Sequence, residues 1–176
     1  MNNKHHIVVV NGRNGVGKEA LISRLDKLLG SEYHMKSISA ITPVKMAAMT
    51  YFGWDGAEEE RDRQFLADLR QLIEDYNDSC MEYLKSQTYE HAFKNEHTQK
   101  DSILFVHILE YDNIMRYADW VNSCAYLSNY QLSTVSILGP DEDYDGNYDF
   151  MYVNSKSKSE SGFDFTMWFK ENILDK

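Results

Sequence analysis

The chain has 176 residues, a net charge of −10, 43% hydrophobic residues and 26% charged residues, the size and balance of one globular domain with a real core. The acidic excess excludes the basic face that non-specific nucleic-acid binding needs, and no apolar run is long enough to span a membrane. Cys80 and Cys124 are the only cysteines, too few for a disulfide framework, so a reduced, cytoplasmic setting is expected.

The N-terminus does not read as a signal peptide, because its short apolar run, Ile7 to Val10, feeds directly into a glycine turn. That run reads as a buried strand. An amphipathic helix follows over Glu19–Leu29, with Leu21, Ile22, Leu25, Leu28 and Leu29 on one side and Gly30 as a C-cap candidate. Met35–Ile41 is a short β-type run. Thr42 then reads as an N-cap and Pro43 as the first residue of a helix through about Phe52.

A charged loop, "GWDGAEEERDRQ", passes into a helix on which Phe65, Leu66, Leu69, Leu72, Ile73 and Tyr76 keep helical spacing. Asp78–Phe93 is read as another helix, residues 95–102 as a polar turn, and Ile103–Ile108 as a second buried strand. A helix over Asn113–Val121 and strands at Leu132–Leu138 and Asp149–Val153 follow, the two strands separated by a polar turn. Residues 155–162, "SKSKSESG", read as a flexible connector before a final helix, Phe163–Leu174. Strands alternating with helices imply a mainly parallel sheet covered on both faces, with ligands at the carboxyl ends of its strands.

Gly12-Arg13-Asn14-Gly15-Val16-Gly17-Lys18 satisfies G-x-x-x-x-G-K between the first strand and the first helix. A loop that wraps a phosphate must turn its N–H groups inward, and glycines permit the dihedrals this needs. The helix N-terminus adds favourable potential for an anion, and Lys18 supplies a mobile cation for the β and γ phosphates. Glu19 is irregular, because a Ser or Thr hydroxyl there would coordinate Mg²⁺. At ~4 Å and an effective dielectric near ~20, its repulsion by one phosphate charge is about 4 kcal/mol. The carboxylate must therefore reach Mg²⁺, directly or through water, or turn away as an ordinary first-turn helix residue.

"GRNGVGKE", "SISAITPVK" and "FGWDGAEEERDRQFLADLRQLIEDYND" resemble the P-loop kinases of the deoxynucleoside monophosphate kinase and phosphomevalonate kinase type. The likeness leans towards the adenylate-kinase-like proteins of phages and Gram-positive bacteria, in which the residue after the loop lysine is often Asp. It implies a three-layer P-loop nucleoside-kinase-like α/β fold with a five-stranded sheet. It also implies a single domain over residues 1–176, with a helical acceptor-side insertion at about 43–98.

The resemblance further implies ATP and Mg²⁺ as cofactors, a nucleotide substrate, and a homodimer as one conceivable assembly. Gly12, Arg13, Asn14, Gly15, Val16, Gly17, Lys18 and Glu19 would hold the donor triphosphate, Glu19 also serving as metal ligand. Lys45, Trp54, Arg63 and Arg70 would face the acceptor, and Lys18 and Arg63 would be the catalytic pair. The plain alternatives are a surface lysine for Lys45, a core aromatic for Trp54 and a solvated charge for Arg63.

Two departures from the family pattern stand out. Leu109 occupies the place after the strand "ILFVHI" where the family usually has a basic residue. From Tyr117 to Lys176 there is no arginine, and the basic residues are Lys156, Lys158, Lys170 and Lys176. Phosphoryl transfer depends mostly on positioning and charge stabilisation, so a nucleotide-binding protein with weak or no catalysis is the alternative. His107 reads as a core or cleft histidine, and Glu110 as a strand-end carboxylate or a group near Mg²⁺. The acidic stretch 141–146, "DEDYDG", reads as a solvated turn rather than a calcium loop.

Overall fold

The computed structural model describes residues 4–96, 98, 100–142, 146–155 and 158–175. In chain order the elements are β1 (His5–Asn11), α1 (Lys18–Leu29), β2 (Tyr33–Ser39), α2 (Thr42–Phe52), α3 (Glu60–Asn77) and α4 (Ser79–Asn95). They continue with β3 (Asp101–His107), α5 (Tyr111–Ser123), β4 (Tyr130–Leu138), β5 (Phe150–Val153) and α6 (Lys158–Phe169). A 3₁₀ turn follows α5 at Ala125–Leu127, and a π-helical turn, Lys170–Leu174, continues α6.

The five strands form one sheet in the order β2-β3-β1-β4-β5. Every pairing is parallel, with Val10 opposite both His107 of β3 and Val135 of β4. β1 is therefore the central strand and is buried on both faces, which is why its sequence is a continuous apolar run. Ile7 and Val9 enter a core with Met81 and Leu84 of α4 and Ile114, Tyr117 and Val121 of α5. Val8 and Val10 enter a second core with Leu21, Leu25 and Leu29 of α1, Phe165 and Phe169 of α6, and Ile173. The fold is thus an α/β sandwich with helices on both faces of a parallel sheet, as expected.

Several local expectations shift. Gly30 caps α1 in a right-handed conformation, φ −64°, rather than the left-handed one typical of a C-cap glycine. Its N–H donates to Asp26 O at 2.7 Å. Thr42 is itself helical, so Pro43 takes the second position of α2, where its missing N–H still costs nothing. Gly53 closes that helix with φ 68°. The final helix begins at Lys158, inside the stretch expected to be a flexible connector. Of that stretch, residues 156 and 157 lie outside the described residues.

The largest difference is in α3, which contains no buried residue. Leu72 is 67% exposed and Tyr76 86% exposed despite their helical spacing. α3 sits outside the sheet layers and leans on α2, where Phe65 meets Phe52 edge-on at a centroid distance of 5.4 Å. Its start is fixed by a capping box in which Glu59 and Asp62 satisfy each other's backbone N–H groups.

Candidate nucleotide site

β1 ends at Asn11, α1 starts at Lys18, and the glycine loop fills the gap at the carboxyl end of the central strand. Gly12, Gly15 and Gly17 have φ of 144°, 83° and 96°, all in the region that disfavours side chains. Two of them are also crowded. A Cβ on Gly12 would lie 2.4 Å from Ile137 O, and one on Gly17 would lie 2.9 Å from Asn154 Nδ2.

Side chains from neighbouring strand ends hold the loop. Asn11 Nδ2 donates to Ile108 O at 3.0 Å and Leu109 O at 2.6 Å, joining the loop's entry to the end of β3. Asn154, just past β5, donates from Nδ2 to Val16 O at 2.8 Å. Glu142 folds back from the acidic turn so that its Oε2 accepts from Gly139 N at 2.9 Å, and its Oε1 lies 3.8 Å from Arg13 Nε. Glu142 is therefore structured rather than simply solvated. Residues 143–145 of that turn lie outside the described residues. Its spacing from the loop in sequence gave no sign of this contact.

Lys18 is only 8% exposed. Its ammonium donates to Gly12 O and, at 2.8 Å, to Arg13 O. Burial lowers its pKa, and the charges of Glu19 and Glu142 oppose that shift. The ammonium thus rests over the loop it would serve. Anionic oxygens arriving there would be stronger partners than the neutral carbonyls it now holds.

Glu19, on the first turn of α1, faces a cavity of about 330 Å³ between α1 and the edge strand β2. Ile22, Met35, Phe105 and Ser37 line it, and His107 closes it from the end of β3. His107 Nδ1 is buried and has no hydrogen-bond partner. Burial lowers the His107 pKa, Glu19 raises it and Lys18 lowers it, so the imidazole feels both charges. A divalent ion beside bound phosphates needs only one or two protein carboxylates, and the Glu19 carboxylate could serve as one.

The acceptor-side candidates separate into groups. Lys45 and Trp54 come together, with the ammonium 5.7 Å from the Trp54 ring centroid. Lys45 also lies 4.0 Å from Glu58, and Trp54 Nε1 donates to Ala57 O at 2.9 Å. Arg63 is solvent-facing, its side chain 65% exposed, with Glu60 of its own helix 4.0 Å away.

Arg70 is engaged instead. Nη1 donates to Glu110 Oε1 at 2.6 Å, Nη2 donates to Glu110 Oε2, and Nε donates to Glu74 Oε1 at 2.9 Å. Burial acts to lower the Arg70 pKa, and the hydrogen bonds and charges of Glu110 and Glu74 override it, so the net direction is upward. Glu110 is correspondingly pulled down by Arg70 against its own burial. Arg116, unnoticed in the sequence, pairs with Asp78 at the junction of α3 and α4.

Strand order and loop together define a parallel α/β protein with a glycine-rich loop and a buried lysine at the carboxyl end of its central strand. No family model matches the chain, and no curated protein matches it. Among solved structures it is similar to a mutant of the Mycobacterium tuberculosis APS kinase, with 11% identity over 96% of this chain and 99% of that one, at a TM-score of 0.48. It is also similar to an unliganded sugar kinase from Janibacter sp., with 12% identity over 99% of this chain and 98% of that one, at a TM-score of 0.42. Among the described residues no helix is long and apolar enough to cross a membrane.

Proposed function

We propose that the chain is a P-loop kinase of the nucleoside or deoxynucleoside monophosphate type. It would take ATP in the Gly12–Lys18 loop and pass the γ-phosphoryl group to a small phosphorylated acceptor. In that transfer an acceptor oxygen bonds to the γ phosphorus, the bond from that phosphorus to the β–γ bridging oxygen breaks, and ADP leaves. One observation carries the reading: three left-handed glycines and a buried lysine close around the N-terminus of α1.

Loop N–H groups and the helix N-terminus bind the triphosphate. Lys18 exchanges its carbonyl partners for phosphate oxygens and stabilises charge as it migrates. Mg²⁺, the expected ion, would neutralise the β and γ oxygens when bound, with Glu19 as its protein donor. Lys45 and Trp54 offer a cation beside an aromatic face, suited to an acceptor carrying both a base and a phosphate. Arg63, exposed and with Glu60 of its own helix 4.0 Å away, would supply the cation for an acceptor phosphate.

The test is ADP release with ATP and a panel of nucleoside monophosphates. Turnover dependent on one acceptor supports transfer. ATP binding without turnover for any acceptor rejects it.

That second outcome corresponds to a second reading, a nucleotide-binding protein without transfer. The engagement of Arg70 by two carboxylates favours it, because it removes from the acceptor side a cation that could stabilise the moving phosphoryl group.

A further inference from the structure

A loop that turns its N–H groups towards an anion turns its carbonyls away, because the C=O and N–H of one trans peptide point in opposite directions. Those carbonyls then need donors of their own. Lys18 serves Gly12 O and Arg13 O, and Leu21 N serves Gly17 O at 3.0 Å. Val16 O is served from 138 positions away, by Asn154 Nδ2 at 2.8 Å. The Val16 carbonyl shares its peptide with the Gly17 N–H, so a donor that holds the one aims the other in the opposite direction. Among the described residues the Gly17 N–H has no partner of its own.

Asn154 is itself held in place. Its backbone N–H donates to Leu138 O at the end of β4 at 2.8 Å, and the chain then turns back, Ser155 N donating to Val153 O at 3.1 Å. Among the described residues its Oδ1 is buried without a partner, so the bond to Val16 O is the contact that fixes the amide. Turning the amide over would set two oxygens against each other. The amide also fills the space beside Gly17, where a Cβ would lie 2.9 Å from Nδ2. Lys18 must leave its two carbonyls to meet a phosphate, whereas a neutral amide is not drawn away. Asn154 is the tether that stays.

We propose that Asn154 is a positioning residue for nucleotide binding: through Val16 O it keeps the Gly17 N–H aimed at the bound phosphates, in the empty and the loaded loop alike. The inference rests on the reading that the loop holds a nucleoside di- or triphosphate.

The experiment measures ADP binding to the whole chain by calorimetry with Mg²⁺, for the unsubstituted protein, Asn154→Ala and Asn154→Asp. At pH ~7.5 Asn154→Ala should bind ADP about tenfold more weakly, through loss of one hydrogen bond to the loop. Asn154→Asp keeps the shape, but an ionised carboxylate only accepts and would face Val16 O with a negative charge, so its loss should be about a hundredfold. Lowering the pH to ~5.5 favours protonation of that carboxyl, whose pKa the carbonyl and the phosphates raise. The acid O–H can then donate to Val16 O. Taken relative to the unsubstituted protein at each pH, the Asn154→Asp affinity should recover by about tenfold, while the Asn154→Ala ratio stays flat. A residue that only supports the fold would not produce that recovery.

Unchanged ADP affinity in Asn154→Ala, or no recovery of Asn154→Asp at the lower pH, would overturn the positioning role and leave the nucleotide reading standing. No ADP binding by the unsubstituted protein would overturn both. The recovery is read within one variant, so it decides the matter even if Asn154→Ala fails to fold.

Discussion

Arg70 of α3 and Glu110, the residue that caps α5 beyond the end of β3, face each other fork to fork, with Nη1 of Arg70 2.6 Å from Oε1 of Glu110. The guanidinium is 15% exposed and the carboxylate 42%. This pair ties the outlying α3, which buries no residue of its own, to the sheet layer. A double-mutant cycle of Arg70→Ala and Glu110→Ala, followed by urea unfolding, should give a coupling energy of about 1–2 kcal/mol. That lies between the values for exposed and buried pairs. Arg70→Ala alone should cost more than Glu110→Ala alone, because it leaves two carboxylates, Glu110 and Glu74, facing each other.

The glycines of the loop are not equivalent. At Gly12 a methyl group would meet Ile137 O, whereas at Gly15 nothing lies within 4 Å. Gly12→Ala therefore combines backbone strain with a clash against a rigid strand and should destabilise by more than about 2 kcal/mol. Gly15→Ala carries only the left-handed penalty of about 1 kcal/mol. Thermal unfolding of the two variants without nucleotide compares them directly.

The amino end of the sheet holds buried histidines that should make the fold acid-sensitive. His6 and His91 are each 1% exposed, and none of their ring nitrogens has a partner. Burial, reinforced by Lys4, pushes the His6 pKa down to about 4, with Asp101 opposing and His5 adding to the fall. Burial pushes the His91 pKa down to about 3, helped by His34, Lys36, His5 and Lys94. His91 stacks on His34 at 5.7 Å and meets Tyr130 edge-on at 6.4 Å.

Both groups have a folded pKa below the unfolded value of 6.5. Their neutral form is therefore favoured by folding, and the unfolded chain takes up protons first as pH falls. Stability should be unaffected by them above pH ~6.5 and decline below it, by about 2 kcal/mol for each histidine at pH ~5, levelling only near their folded pKa values. His91→Leu should roughly halve that decline in urea titrations between pH ~7 and pH ~5, His6 supplying the rest, and a variant with the wild-type slope would contradict the assignment.

Much of this architecture is legible in local patterns. β1, the glycine loop and α1 lie consecutively, and each leaves its own signature in composition and spacing. β3 is similarly plain, because a strand buried on both faces must be apolar throughout. The misreadings have physical causes. "SKSKSESG" has the composition of a linker, yet α6 begins inside it because Phe165 and Phe169 downstream bury fully against the sheet. The apolar spacing of α3 suggested a buried face, but α3 rests on another helix rather than on the sheet, so Leu72 and Tyr76 stay exposed.

The candidate site was only half visible. Gly12 to Lys18 is one segment and carries its own motif. Glu19 with His107, Arg70 with Glu110, and Asn154 with Val16 are meetings between distant segments, the last separated by 138 positions. No periodicity announces such pairs. Arg70 read in sequence as an acceptor-facing candidate because Glu110, one of the two carboxylates that engage it, lies 40 residues away.

The central claim is that Lys18 and its loop bind a nucleotide's phosphates. Calorimetric titration of ATP, in the presence of a divalent ion, into the unsubstituted protein and into Lys18→Ala tests it most directly. Saturable one-to-one binding to the first, weakened about a hundredfold or more in the second through loss of charge-assisted bonds, is the predicted result. Absence of ATP binding to the unsubstituted protein, or equal affinity in the two, would contradict the account.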